Sequence, residues 1–297
     1  DETSLLKAVV LGVANNNGPT PSIEEAYDPK SKEHIAAGSF PVENDLIDEI
    51  EGFAQVFEKY GVKVYRPRVL PNTNQIFARD IGFVIEDKFI ETNILDDRMH
   101  ELEGIDYIID EIGTGSTIEV PDDVHIEGGD VMPWNEYIFV GYSEEPDFSN
   151  YTVSRTNKAG VDFLAKQFPH KKVKGFQLNK SDVEPRDNAL HLDCCFQPVG
   201  KKNAILYKGG FKSEEDVTFL MDYFGAANVI EITRDEMYHM NSNVFSISPT
   251  VVVSEKGFTR LNNILREKGY TVEEIKYSET AKMEGLLRCS TLPLIRE

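Results

Sequence analysis

LHLDCCFQPVGKKNAILYKGGFKSEEDVTFLMDYFGAANVIEI, residues 190–232, is the stretch whose reading decides the fold. Two apolar, strand-like runs come first, 190–196 and 204–207. A helix over 213–224 follows, with Val217, Leu220, Met221 and Phe224 on one face. A third run, 228–232, completes a β-β-α-β unit. The next stretch repeats the order: runs 243–247 and 250–253, a helix over 257–268 carrying Phe258, Leu261, Ile264 and Leu265, then run 271–275. Even the approach to the helix recurs, as Gly210-Phe211 and Gly257-Phe258. Working backwards, strand, helix and strand over 8–65 and again over 137–178 fit degraded copies. Their helices are 44–60, with Leu46, Ile47, Ile50, Phe53, Ala54 and Phe57, and 157–168, with Val161, Leu164 and Phe168. Residues 82–85 read as a further strand. A unit of about 50 residues repeated in this way predicts a closed array forming one domain over 1–297. The loop 15–41, rich in Asn, Pro and Gly, is either an ordered lid or a mobile excursion.

Composition narrows the function. The chain of 297 residues has no run of eighteen apolar ones, which excludes a transmembrane helix. Hydrophobic residues make up 40% and aromatics 10%, enough for a sizeable core and against disorder. The 31 Lys+Arg face 51 Asp+Glu, a formal charge of -20. Such a surface repels phosphate, so neither nucleic acid nor an anionic membrane is an expected partner. A small cationic molecule suits it. Cys194, Cys195 and Cys289 are the three cysteines and offer neither a disulfide framework nor a Cys-x-x-Cys zinc pattern. The expectation is a reducing, cytoplasmic location. The chain opens with Asp1, and no signal or transit segment is visible.

Four segments set unusual residues beside strands: Phe77-Ala78-Arg79-Asp80-Ile81-Gly82, His125-Ile126-Glu127-Gly128-Gly129-Asp130-Val131, Asn188-Ala189-Leu190-His191-Leu192-Asp193, and Leu287-Arg288-Cys289-Ser290-Thr291-Leu292-Pro293-Leu294. Each has an ordinary reading. Arg79-Asp80 reads as a surface ion pair, Glu-Gly-Gly-Asp as a turn with solvated acids, and Cys289 as a small core residue. His191 and Asp193 share one face if the segment is a strand, and a buried His-Asp pair gives the same pattern. Cys194 and Cys195 read as core residues of that strand.

Together, and in this order, the four segments resemble the guanidino-group-modifying enzymes: arginine deiminases, amidinotransferases and dimethylarginine dimethylaminohydrolase. The resemblance covers about residues 6–296. It implies an α/β fold, a five-bladed α/β propeller with pseudo-fivefold symmetry built from ββαβ units, in agreement with the repeat. It also implies roles. Asp80 and Asp193 would be the carboxylates that bind the guanidinium fork. Cys289 would be the nucleophile, reacting as thiolate to form an S-amidino or thiouronium intermediate. His191 would be the general acid and base, and Glu127 would orient it. Asp130 would support the turn or touch substrate. Arg155, in Ser154-Arg155-Thr156, resembles the deiminase arginine that grips a substrate carboxylate. Acidic neighbours would raise the Cys289 pKa, so the bound cation is expected to assist its ionisation.

The expected partner is thus a small cationic guanidino substrate, arginine-like, and a homo-oligomer is compatible with the sequence. No cofactor and no metal is expected; His191, Asp193, Glu127 and Asp130 lack a metal-spacing motif. Residues 6–12 and 60–67 look like an amidinotransferase. Glu127 and the Arg-Cys followed by Pro-Leu-Ile-Arg look like a deiminase. The reading leans to hydrolysis, with amidino transfer to an amine as the alternative. A non-catalytic guanidino-binding protein is a further alternative. The inserted helical domain of arginine deiminases is missing, which weakens the case for free arginine.

Overall fold

The computed structural model describes residues 1–113 and 116–297. The first strand, β1 (Leu6–Leu11), is followed by helices α1 (Pro29–Ala36) and α2 (Glu43–Lys59) and by β2 (Lys63–Tyr65). The second unit is β3 (Gly82–Ile85), β4 (Lys88–Glu91), α3 (Asp106–Ile112) and β5 (Ser116–Glu119). The third is β6 (Val131–Trp134), β7 (Tyr137–Tyr142), a short α4 (Asp147–Asn150), α5 (Lys158–Gln167) and β8 (Lys172–Gln177). The fourth is β9 (Phe196–Val199), β10 (Asn203–Leu206), α6 (Glu214–Phe224) and β11 (Val229–Glu231), trailed by α7 (Arg234–Tyr238). The fifth is β12 (Phe245–Ser248), β13 (Val251–Glu255), α8 (Thr259–Glu267) and β14 (Thr271–Ile275). The last strand, β15 (Thr291–Arg296), returns to pair antiparallel with β1.

Five three-stranded sheets result, ordered β15-β1-β2, β3-β4-β5, β6-β7-β8, β9-β10-β11 and β12-β13-β14. In each, the middle strand runs antiparallel to the one before it and parallel to the one after the helix. A tight turn suffices for the first pairing, whereas a parallel return needs a crossover, which the helix supplies. The fold is a five-bladed α/β propeller of ββαβ units. Its first blade is assembled from both ends of the chain.

The core fills the seams between blades. Ala8, Val10, Ala78, Ile81, Phe89 and Leu292 pack between the first and second. Phe83, Ile126, Val140 and Leu164 pack between the second and third, and Phe139, Phe176, Phe196 and Leu220 between the third and fourth. The largest seam joins the first, fourth and fifth. There Leu46, Ile50, Phe53 and Phe57, spaced as one face of α2, meet Phe245, Leu261, Leu265 and Tyr277. The Phe53 ring lies 4.4 Å from that of Phe57 and 5.8 Å from those of Phe245 and Tyr277.

Several elements depart from the sequence reading. The run 190–196 is not a strand: pairing starts at Phe196, and Leu192–Cys194 form a 3-10 turn with His191 at its head. Leu192, Cys194 and Cys195 are buried, so the run looks strand-like in composition, but its polar members are drawn into tertiary contacts. Cys289 lies in a turn before β15. The loop 15–41 contains α1, capped by Asp28, whose Oδ1 accepts from the Ser31 amide at 2.7 Å. β4, α3, β5 and β6 carry no signal strong enough to have been read. No helix among the described residues is long and apolar enough to cross a membrane.

Truncating Phe53 should cost about 3–5 kcal/mol, because the cavity left in this seam cannot collapse. Urea unfolding of Phe53→Ala measures it, and a loss below about 1 kcal/mol would show that α2 is not the keystone of that seam.

Candidate active site

The four singled-out segments occupy equivalent places. Each is the turn that leads into the first strand of a blade: Arg79-Asp80 before β3, Glu127–Asp130 before β6, His191–Asp193 before β9, and Arg288-Cys289 before β15. The fifth blade supplies a turn that the sequence reading overlooked, Asn241-Ser242-Asn243 before β12. The repeat thus delivers one polar turn per blade to a common centre.

The glycines of Glu127-Gly128-Gly129-Asp130 are there for space. A Cβ on Gly129 would lie 2.6 Å from the His191 ring, and one on Gly128 would lie 2.1 Å from the Arg79 carbonyl oxygen. Only glycine lets these turns approach so closely. Glu127 Oε2 then meets His191 Nε2 at 2.7 Å, with both residues 1% exposed. On the other side of the ring, Nδ1 stands 3.8 Å from Asp80 Oδ1. Burial alone would lower the His191 pKa, but Asp80, Glu127 and Asp130 outweigh it and raise it to about 9. Burial would raise Glu127, and Arg155, His191 and Arg98 reverse this and hold it below its usual value. The pair is therefore an imidazolium on a carboxylate.

A cavity of about 450 Å³ opens on this centre, and Asp80, Arg98, Arg155, His191, Glu284 and Cys289 are among its lining residues. Asp80 Oδ2 accepts from Arg98 Nη1 at 2.8 Å, whereas the buried Oδ1 has no hydrogen-bond partner. Arg98 is clamped in turn by Glu101, at 2.7 and 3.0 Å. Arg155 Nη1 lies 3.6 Å from Glu127 Oε1, and its buried Nε has no partner. The segment 15–41 covers the cavity with Asn17, Pro19, Pro21, Tyr27 and Phe40.

At the cavity wall, Cys289 Sγ lies 3.6 Å from Asp193 Oδ2 and 3.2 Å from Asn243 Nδ2. Asn243 Oδ1 also accepts from the amides of Arg288 and Cys289, at 2.9 and 3.2 Å. Burial, Asp193 and Asp80 push the Cys289 thiol well above its ordinary pKa. Arg288 is fully buried. It donates through Nη1 to Asp193 Oδ2 at 2.9 Å and through Nε to Glu2 Oε1 at 2.7 Å.

Of the predicted residues, Asp80, Arg155, His191 and Cys289 line the cavity, and Glu127 touches His191. Asp193 is not in the lining. It sits behind Cys289, and its Oδ2 is engaged by Arg288. His191 and Asp193 do not share a strand face, because the segment is a turn. Asp130 also lies behind the wall, where its Oδ1 accepts from the Leu192 amide at 2.8 Å and braces the His191 turn. The residues missed are Asn243, Arg98, Glu101 and Glu2, together with the inward role of Arg288. Asn243 alone carried a signal, a polar Asn-Ser-Asn run against an apolar strand. Asp80, Glu127 and His191 each offer a donor atom within 4.8 Å of the others. Asp80 Oδ2 is taken by Arg98 and Glu127 Oε2 by His191, while Asp80 Oδ1 has no hydrogen-bond partner.

A family model described as N,N dimethylarginine dimethylhydrolase, eukaryotic, matches residues 39–296. A Bacillus subtilis relative, the uncharacterized protein YkgA, is 30% identical over 223 residues, which are 75% of this chain and 70% of the relative. An arginine deiminase of Listeria welshimeri is 25% identical, over 76% of this chain and 63% of its own length. Among solved structures, the N-terminal domain of ArgZ, an arginine dihydrolase from the ornithine-ammonia cycle in cyanobacteria, superposes with a TM-score of 0.80. It is 16% identical, with 97% of each chain covered.

The raised His191 pKa links stability to pH. The group binds its proton more tightly folded than unfolded, so its contribution is fully present below pH 6.5 and is lost as pH rises through about 9. His191→Gln should therefore flatten the decline of melting temperature over that window. Parallel curves for the two proteins in a calorimetric pH series would contradict an imidazolium held in the folded state.

Proposed function

The chain belongs to the N,N dimethylarginine dimethylhydrolase family of guanidino-modifying enzymes, and from that membership we propose that it hydrolyses an arginine-like guanidino substrate through a covalent intermediate on Cys289. The observation that carries the reading is the convergence on one cavity of a thiol, a carboxylate-paired histidine and a carboxylate oxygen without a partner. A guanidinium carbon is deactivated by resonance and by charge. Attack on it needs a thiolate, a fixed anion to orient the cation, and an acid to protonate the amine that leaves.

Asp80 Oδ1 offers the fixed anion. A guanidinium seated there brings its positive charge beside Cys289 and offsets the carboxylates that keep the thiol protonated. The thiol proton passes to solvent, and the thiolate adds to the guanidinium carbon, forming the C–S bond as the C=N π pair moves onto nitrogen. His191 gives its proton to the departing nitrogen as the C–N bond breaks, which leaves a thiouronium on sulfur. Neutral His191 then takes one proton from water as the water oxygen bonds to the carbon; the C–S bond breaks to return the thiolate, and the remaining hydroxyl proton passes to solvent as the ureido carbonyl forms. The products are a ureido compound and an amine or ammonia. Arg155, whose buried Nε lacks a partner, is positioned to meet a substrate carboxylate at the cavity wall. The family description, a hydrolase acting on a methylated arginine, supports water rather than an amine as the acceptor.

Incubation with L-arginine and with N-methylated arginines, with and without glycine, followed by mass spectrometry of small molecules and intact protein, tests the reading. Citrulline with ammonia or a methylamine is expected. Ornithine with an amidinated glycine would make the enzyme a transferase. Cys289→Ala should abolish turnover, and His191→Ala should reduce kcat by about 10²–10⁴-fold. Asp80→Ala should raise KM as well as lower kcat. A fully active Cys289→Ala protein would falsify the covalent route. Because His191 must carry a proton to act as the acid, kcat/KM should fall as pH rises above about 9.

A further inference from the structure

The side chain that lies deepest behind the reacting thiol is Arg288, and its guanidinium is shared. One edge faces Asp193, whose Oδ2 is also the oxygen 3.6 Å from Cys289 Sγ. Its Nε faces Glu2, at 2.7 Å. Glu2 is 6% exposed, far from Cys289 in sequence, and unused by the chemistry above. We propose that Glu2 is a positioning residue for that chemistry: it divides the Arg288 cation between two carboxylates, so that the charge facing Cys289 stays negative until a cationic substrate arrives.

The physical argument concerns one unit of charge at fixed geometry. Glu2, Arg288 and Asp193 form a buried minus-plus-minus line that ends at the thiol. Around Cys289 the other charged or titratable groups include Asp80 on the turn before β3, Cys194 on the turn before β9, and Tyr277, with His191, Arg155 and Glu284 in the same cavity lining. Around Glu2 they include Arg79 and Arg296 as well as Arg288, and the Asp1 ammonium, whose pKa burial lowers. Burial would raise the Glu2 pKa, but these arginines bring it down to about 2, so it is ionised at every working pH. Replacing Glu2 by glutamine keeps an oxygen for Arg288 Nε and removes one negative charge. Arg288 then bears wholly on Asp193, and a thiolate at Cys289 meets less repulsion. In the resting protein the present arrangement therefore holds the thiol protonated and unreactive. It reserves ionisation for the moment when a guanidinium enters at Asp80. The inference rests on the proposed role of Cys289 as nucleophile.

The test is the rate of alkylation of Cys289 by iodoacetamide across pH in the full chain without substrate, read on the Cys289 peptide by mass spectrometry. Glu2→Gln should label about tenfold faster than wild type at pH 7, the effect of one unit in thiol pKa. Glu2→Asp keeps the charge and should stay near the wild-type rate, which a purely structural role would not predict. Arg296→Gln removes a cation beside Glu2 and should slow labelling, and it gives a reading of opposite sign if Glu2→Gln does not fold. Equal rates in wild type and folded Glu2→Gln, equal acceleration by Glu2→Asp, or faster labelling of Arg296→Gln would each overturn the role of Glu2 alone. Failure of wild-type Cys289 to label at any pH would remove the nucleophile, and with it both this inference and the hydrolytic reading.

Discussion

The constraint on which the rest of the structure depends is the burial of the Arg288 guanidinium. Its donors reach Glu2 and Asp193 and the carbonyl oxygens of Gly128, Gly129 and Val131. One rigid, planar cation thereby fixes the Glu-Gly-Gly-Asp turn, the His-Leu-Asp turn and the cysteine turn relative to one another. A buried charge is tolerable only when paired and fully hydrogen-bonded, and arginine is the side chain with enough donors in a fixed fork to do both. Lysine, a point charge on a flexible stem, could not hold three turns at once.

A pair of arginines works from the cavity side. Arg98 holds one oxygen of Asp80 and leaves the other bare; Arg155 approaches the Glu127 oxygen that His191 does not use. The centre is thus an acidic cluster whose charge is neutralised from behind and at the flanks, with its free valence directed inward. On the proposed reading, this reconciles a chain of formal charge -20 with thiol chemistry at Cys289. Burial, Asp193 and Asp80 together hold the Cys289 thiol above its ordinary pKa, and in the proposed reaction a bound cation would offset those carboxylates.

The propeller explains how such a cluster can be built from segments more than 200 residues apart. Each blade begins with a turn, and the turns of all five blades converge. Functional residues therefore sit at the same structural address in each repeat, two to five positions before a strand, while the helices and seams behind them are free to vary. The glycines at 128 and 129 mark where two such turns come closest.

By itself the sequence determined the repeat, because apolar periodicity of 3.6 and 2 survives in the fourth and fifth blades. It also determined which side chains were unusual, because Asp80, Glu127, His191 and Cys289 stand in turns against apolar strands. The second blade was mostly illegible, since β4, α3 and β5 are short and carry mixed faces. The strand expected over 190–196 failed because burial and strand formation leave the same apolar trace. Only the tertiary structure decided the partnerships. That Arg288 points inward, that Asn243 bridges to the thiol, that Arg98 takes half of Asp80, and that Glu2 stands behind Cys289 are contacts between residues distant in the chain. Their geometry follows from how five seams pack, and no local pattern of side chains encodes it.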